Sequence, residues 1–203
     1  MDDIVKQAMA KWPNVPHCYG WLGLDARGVW RMRDERAQAH KLPGDKIANA
    51  ALLGFINRNY THDEHGRWYF QNGPQRVYVN LEAAPYIVRT DPAQGLVAHT
   101  GEAWPVPDAA WLTDGGLLVF QGGGKVGIID DRDMAQCLPQ LRMNGAPVDD
   151  DALLAWLASR EEGRLFLEYR GRELPVSFIE RVRLAETFGF VAEPQPQGEE
   201  IKA

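Results

Sequence analysis

Between Gly66 and Thr90 the chain reads GRWYFQNGPQRVYVNLEAAPYIVRT. Within RVYVNLE, Val77, Val79 and Leu81 alternate with Arg76, Tyr78, Asn80 and Glu82. A strand sends successive side chains to opposite faces, so this segment must be a strand with an apolar face and a polar face. Arg67, Tyr69 and Gln71 repeat the polar set one strand earlier. Asn72–Gly73 marks the turn. Pro74 lacks an N–H, which predicts a longer or bulged loop in place of a tight two-residue one. The hairpin constrains the rest of the chain, because its apolar face must be covered by a helix or a second sheet.

A helix precedes it. Asp45 is placed to cap a segment running to about Tyr60, with Ile47, Leu52, Phe55 and Ile56 as the buried stripe. Further upstream, residues 2–12 form an amphipathic pattern through Ile4, Val5, Ala8, Met9 and Trp12, ended by Pro13 and Pro16. Residues 17–42 are rich in Gly and Arg and read as loops and short strands. From Pro85 to about Asp131 the pattern is all-β, followed by a short helix over 132–138. A second helix is capped near Asp149 and carries DALLAWLAS, and a second hairpin turns near Arg170–Gly171–Arg172. A last helix falls within 178–188, and EPQPQGEEIKA from Glu193 reads as a disordered tail.

Two stretches share one order. ALLGFINRNYTHDEHGRWYFQNGPQRVYVNL and ALLAWLASREEGRLFLEYRGRELPVSFI each run from helix through an aromatic strand and a turn to a second strand. The expected fold is therefore α+β. It comprises two small helix-plus-antiparallel-sheet units, a degenerate internal repeat of helix followed by β-hairpin. The expected domains are 1–84, 85–192 and the tail 193–203. Two similar units would leave a groove, a common place for a ligand.

Composition narrows the function classes. Of 203 residues, 45% are apolar and 25% charged, enough for a packed core, and the net charge of −6 opposes duplex nucleic acid as a partner. No apolar run is long enough to span a membrane. Cys18 and Cys137, the only cysteines, suggest neither a disulfide framework nor a zinc module, so a cytoplasmic, reducing setting is expected.

Sequence motifs are mostly accounted for by local structure. Gly122, Gly124 and Gly127 match G-x-G-x-x-G, but Val126, Ile128 and Ile129 favour a strand where a dinucleotide site needs a helix. His62 and His65 lie in a loop without a third ligand. The groups Asp130, Asp131, Asp133 and Asp149, Asp150, Asp151 sit where helices begin and read as caps. Ser159 and Ser177 lack a nucleophile's context, and Cys18 beside His17 is no dyad. No catalytic residue, metal ligand or cofactor is assigned. The best candidate site is the polar hairpin face: Arg67, Tyr69, Arg76, Tyr78, Asn80 and Glu82. Arg offers a fork for carboxylate or phosphate, Tyr a ring with a hydroxyl, and Asn and Glu hydrogen-bonding edges. Such a face, if open, would lose ligand contacts but little stability on truncation of Arg76 and Tyr78.

The segment GRWYFQNGPQRVYVNLEAAPY resembles part of an uncharacterised proteobacterial family of unknown function, through Gly66, Trp68, Pro74, Val77, Val79, Glu82, Ala84, Pro85 and Tyr86. LLVFQGGGKVGIIDDRDMAQCLPQL is similar to that family's second block, so the resemblance spans about 44–141. The Pro sits one residue later in the turn, and Asn72 and Gln75 replace Thr and acidic positions. The resemblance implies a two-part α+β structure with repeated units and a cleft, a nucleotide-like ligand and a signalling role. It supplies no catalytic residue. The leading expectation is a non-enzymatic binder of a small anionic ligand. The alternative is a protein-interaction adaptor, suggested by seven tryptophans; an enzyme of unknown class stands third.

Overall fold

A computed structural model describes residues 1–12, 15–160 and 164–196. The chain is α+β and divides into two compact units. One holds Met1–Pro85 with the segment from Phe188 onward, the other Tyr86–Thr187.

The first unit is built on a six-stranded mixed sheet. Its strands are β1 (Cys18–Leu24), β2 (Trp30–Met32), β3 (Asp45–Lys46), β4 (Tyr60–His62), β5 (Trp68–Asn72) and β6 (Gln75–Leu81), in the order β3-β2-β1-β6-β5-β4. β6 lies in the interior of the sheet, parallel to β1 and antiparallel to β5. Helix α1 (Asp3–Lys11) buries Val5 but leaves Ile4 72% and Trp12 51% exposed. The apolar stripe expected there is thus narrower, because a nine-residue helix turns Ile4 away from the side that holds Val5. Pro13 lies outside the described residues. A short helix α2 (Glu35–Ala39) is capped by the Asp34 carboxylate, which accepts from Ala37 N–H.

Helix α3 (Ala50–Arg58) corrects the expected start. Its cap is Asn49, whose side chain accepts from Leu52 N–H, while Asp45 belongs to β3. Asp45 pairs with Met32 across the sheet edge, and that pairing keeps residues 45–46 extended. On the apolar face of the sheet, Phe55 of α3 meets Phe70 edge-on at 5.3 Å, and Trp30 meets Tyr60 at 5.1 Å. The Trp30 indole N–H donates to Asn57 of the same helix at 2.8 Å. Leu22, Leu24, Val79 and Leu81 complete this buried layer.

The β5–β6 turn also departs from expectation. Asn72 pairs directly with Gln75, so the loop is the two residues Gly73 and Pro74. Gly73 has φ +57°, the conformation the first central residue of a type II′ turn requires. Pro74 then occupies a position whose N–H the ladder does not use, so its missing donor costs nothing.

The second unit carries nine strands. They are β7 (Tyr86–Asp91), β8 (Gly95–Ala98), β9 (Ala109–Thr113), β10 (Leu118–Gly122), β11 (Lys125–Ile129), β12 (Leu141–Met143), β13 (Ala146–Pro147), β14 (Leu165–Tyr169) and β15 (Arg172–Ile179). Their order is β13-β12-β14-β15-β9-β10-β11-β7-β8. The β11–β7 and β15–β9 pairs are parallel and the others antiparallel. Gly123 and Gly124, at φ +55° and +75°, form the β10–β11 turn, so the Gly-rich stretch is a hairpin. A short helix, α4 (Met134–Cys137), follows a 3-10 turn at Asp131–Asp133. Asp149 caps α5 (Asp150–Ser159), accepting from Ala152 N–H. Helix α6 (Leu184–Phe188) follows another 3-10 turn at Arg181–Arg183.

Helix α3 is followed by the three strands β4, β5 and β6 and α5 by the hairpin β14–β15, and the two sheets differ in strand number and order. Of the tail expected from Glu193, residues 193–196 are described and residues 197–203 lie outside the described set.

Candidate functional site

The sheet face opposite α3 divides into two neighbouring parts. One is packed and the other is open.

The packed part surrounds Tyr78, whose residue is fully buried. Its ring stacks on Tyr19 at 4.6 Å with a 9° interplanar angle, and Tyr69 meets it at 5.6 Å. Its hydroxyl donates to Asp63 Oδ2 at 3.1 Å. The same carboxylate accepts from Arg67 Nε at 2.7 Å, and both side chains of this ion pair are at most 7% exposed. Arg67 also lies over the Tyr78 ring at 4.8 Å and reaches the Tyr19 hydroxyl at 3.5 Å. Asp63 Oδ1 accepts from the backbone N–H groups of His65 and Arg67, which ties the β4–β5 loop to the cluster. Burial acts to raise the Asp63 pKa, but the hydrogen bonds from Arg67, the two amides and Tyr78 outweigh it and hold the carboxyl below its ordinary value. Burial raises the Tyr78 phenol. Arg76 is half-buried with its guanidinium 4.7 Å over Tyr69.

The open part is a recess of about 510 Å³ beside β1 and β2. Its floor is a row across neighbouring strands: Arg31 pairs with Gly23, and Gly23 with Asn80. Gly23 has no side chain to stand over the sheet, and this makes the floor concave. A Cβ there would make only ordinary contacts, 3.5 Å to Arg33 Cδ and 3.6 Å to Asn80 O. Tyr19 lines the recess while its ring stacks on Tyr78, so the packed cluster is the wall behind it. Asn80 Oδ1 is buried and has no hydrogen-bond partner among the described residues. A buried amide oxygen is costly unless something donates to it.

Charged groups ring this recess. Arg31 is neutralised by Asp25 at 2.8 Å. Arg33 uses its Nε to donate to Leu42 O at 3.3 Å. Neither Arg33 nor Lys41 has a carboxylate within ion-pairing distance among the described residues. Glu82 accepts from Ala26 N–H at 3.1 Å, and Glu193 also lines the recess.

The six residues expected at the site therefore separate. Asn80 and Glu82 line the recess. Arg67, Tyr69 and Tyr78 are buried, and Arg76 covers Tyr69. The polar face is neither an open platform nor an ordinary wet surface at those positions. The reason is Tyr19 and Asp63, which arrive from β1 and the β4–β5 loop and satisfy the polar groups internally. Gly23, Arg33 and Lys41 escaped sequence reasoning. Arg31 and Arg33 do stand at strand spacing in VWRMR, a period-two signal that could have placed both on one face. Among the described residues no group of His, Cys, Asp or Glu could hold a metal ion, and no helix is long and apolar enough to cross a membrane.

Comparison with known proteins gives a family and a fold. The family model DUF2944, described as "Protein of unknown function (DUF2946)", matches residues 1–195. A crystal structure of a DUF1285 family protein from Silicibacter pomeroyi DSS-3 is similar at 13% identity and a TM-score of 0.50, covering 81% of this chain and 84% of that one. At this identity the likeness concerns fold alone. No curated protein matches.

Proposed function

The chain belongs to the DUF2946 family of proteins of unknown function, and we propose that it binds a small anionic ligand in the recess beside β1 and β2. One observation carries this reading: Arg33 and Lys41, without carboxylate partners among the described residues, line a concave site that Asn80 also lines. Two cations would meet a phosphate or carboxylate, and the Asn80 side chain would lie beside the bound group. Glu82 would contact the ligand directly. Arg67, Tyr69, Arg76 and Tyr78 would act from behind, by fixing the Tyr19 ring. A nucleotide has the size and the mixed polar groups this recess suits, and a signalling role in a cytoplasmic setting is part of the same reading, as is the origin of the two helix–hairpin segments as a degenerate repeat. The adaptor reading has less support, because Trp30, Trp68, Trp104 and Trp156 are buried in the core.

The test is thermal melting of the full chain against nucleotides and small anions. A ligand at 100 times its Kd adds about 2.7 kcal/mol, a shift of several degrees. Gly23→Val places its Cβ at ordinary contact distances over the floor and raises strand propensity, so it is expected to keep the fold and remove the shift. Arg33→Gln should weaken it by about tenfold or more. A folded protein that responds to none of the anions overturns the proposal.

A further inference from the structure

The charges around the recess are separated by sign. Arg33 and Lys41 belong to one end of β1: Arg33 N–H donates to Trp21 O, and Arg33 Nε to the carbonyl of Leu42, next to Lys41. Glu82 and Glu193 belong to the other end. Glu82 N–H donates to Leu24 O, and Leu81 N–H donates to Ala192 O, which sets Glu193 beside the same end. Trp21 and Leu24 are three residues apart on one strand, so the backbone anchors of the two ends lie roughly 10 Å apart. The Arg31–Asp25 pair, also on the lining, is already neutral. Neither Glu82 nor Glu193 has an ion-pair partner among the described residues. Among the described residues no ion pair joins Arg33 or Lys41 to Glu82 or Glu193, so the two ends do not neutralise each other by direct contact.

A purely anionic ligand would be drawn by one end and repelled by the other. We propose, resting on the anion-binding reading above, that the ligand is dipolar: its phosphate or carboxylate meets Arg33 and Lys41, and a cationic amine meets Glu82 and Glu193. The backbone of β1 sets the anchors of the two charged ends apart. A molecule spanning the recess satisfies both.

Calorimetric titration of the full chain with 6-aminohexyl phosphate and with hexyl phosphate tests this, since the two probes share the anion and the spacer and differ in the amine. The amine is expected to improve affinity about tenfold. In Glu82→Gln/Glu193→Gln the two probes should bind within about twofold of each other, with hexyl phosphate binding at least as well as to the parent. The amide that replaces the Glu82 carboxylate retains an oxygen for the Ala26 N–H, so the variant is expected to fold. Hexyl phosphate binding as tightly as the amine, with both dependent on Arg33, overturns the dipolar ligand and leaves the anion site standing. Failure of both probes to bind overturns both readings.

Discussion

Tyr78 illustrates how a residue of a polar pattern comes to be core. Its ring is enclosed by Tyr19, Tyr69 and the Arg67 guanidinium, and its hydroxyl is held by Asp63. Tyr78→Ala empties a fully enclosed site and should cost about 3–5 kcal/mol, far more than loss of an exposed contact. Tyr78→Phe keeps the stack and should cost about 1 kcal/mol, the net worth of one hydrogen bond. The Asp63–Arg67 pair is sharper still. Asp63→Ala removes the carboxylate that accepts from the buried Arg67 guanidinium at 2.7 Å, and removal of one partner of such a pair costs about 3–5 kcal/mol. Urea denaturation of the three variants checks the order; an Asp63→Ala loss under about 1 kcal/mol would show that the pair is solvated.

At the level of elements, two positions separate the observed local structure from its alternatives. Asn49 and Asp45 are rival caps for α3. Asn49→Ala removes the acceptor for Leu52 N–H and should cost about 1 kcal/mol, whereas Asp45→Ala should be nearly neutral. Melting followed by circular dichroism distinguishes them. Gly66 sits at φ +72°, and a Cβ there would lie 2.0 Å from the carbonyl oxygen of Gly189. Val191 N–H donates to Gly66 O in the same place, so the segment after Phe188 is laid against the β4–β5 loop at van der Waals limits. Gly66→Ala should therefore destabilise by about 1–3 kcal/mol, and protease sensitivity of the segment after Phe188 should rise with it.

Over the whole chain, stability should fall on both sides of neutral pH. In the second unit the His99 ring accepts from Ile87 N–H, and burial lowers its pKa to about 3. Between that value and the ordinary 6.5 the unfolded chain binds a proton the folded chain refuses, so stability present above pH 6.5 is lost as the pH falls toward 3. His99→Gln should flatten this slope. Burial pushes Asp130 upward, but its hydrogen bonds and charge contact with Arg132 bring it to about 2, and Arg89 adds a second guanidinium at 3.3 Å. Its contribution is present above about pH 4 and lost below. On the alkaline side, burial raises Tyr86 and Cys137 each to about 12, so their neutral forms favour the fold until the pH climbs through about 9–10 toward that value. Chemical denaturation across the pH range measures all three regions.

The sequence by itself determined the period-two strands, both hairpins, the Asp149 cap and the α+β class, because each rests on local chemistry: side-chain alternation, turn residues, capping oxygens. The family resemblance lay in the first hairpin and in the Gly-rich stretch around β10 and β11. Tertiary structure decided which polar residues face water. Arg67 and Tyr78 look like ligand contacts in isolation, and only the arrival of Asp63 and of Tyr19, 48 residues before Arg67, makes them a satisfied interior. The recess likewise depends on a pairing that the sequence does not display. Gly23 opens a floor only because β1 lies parallel to β6 and sets it beside Asn80, and parallel register over such a separation leaves no local signature.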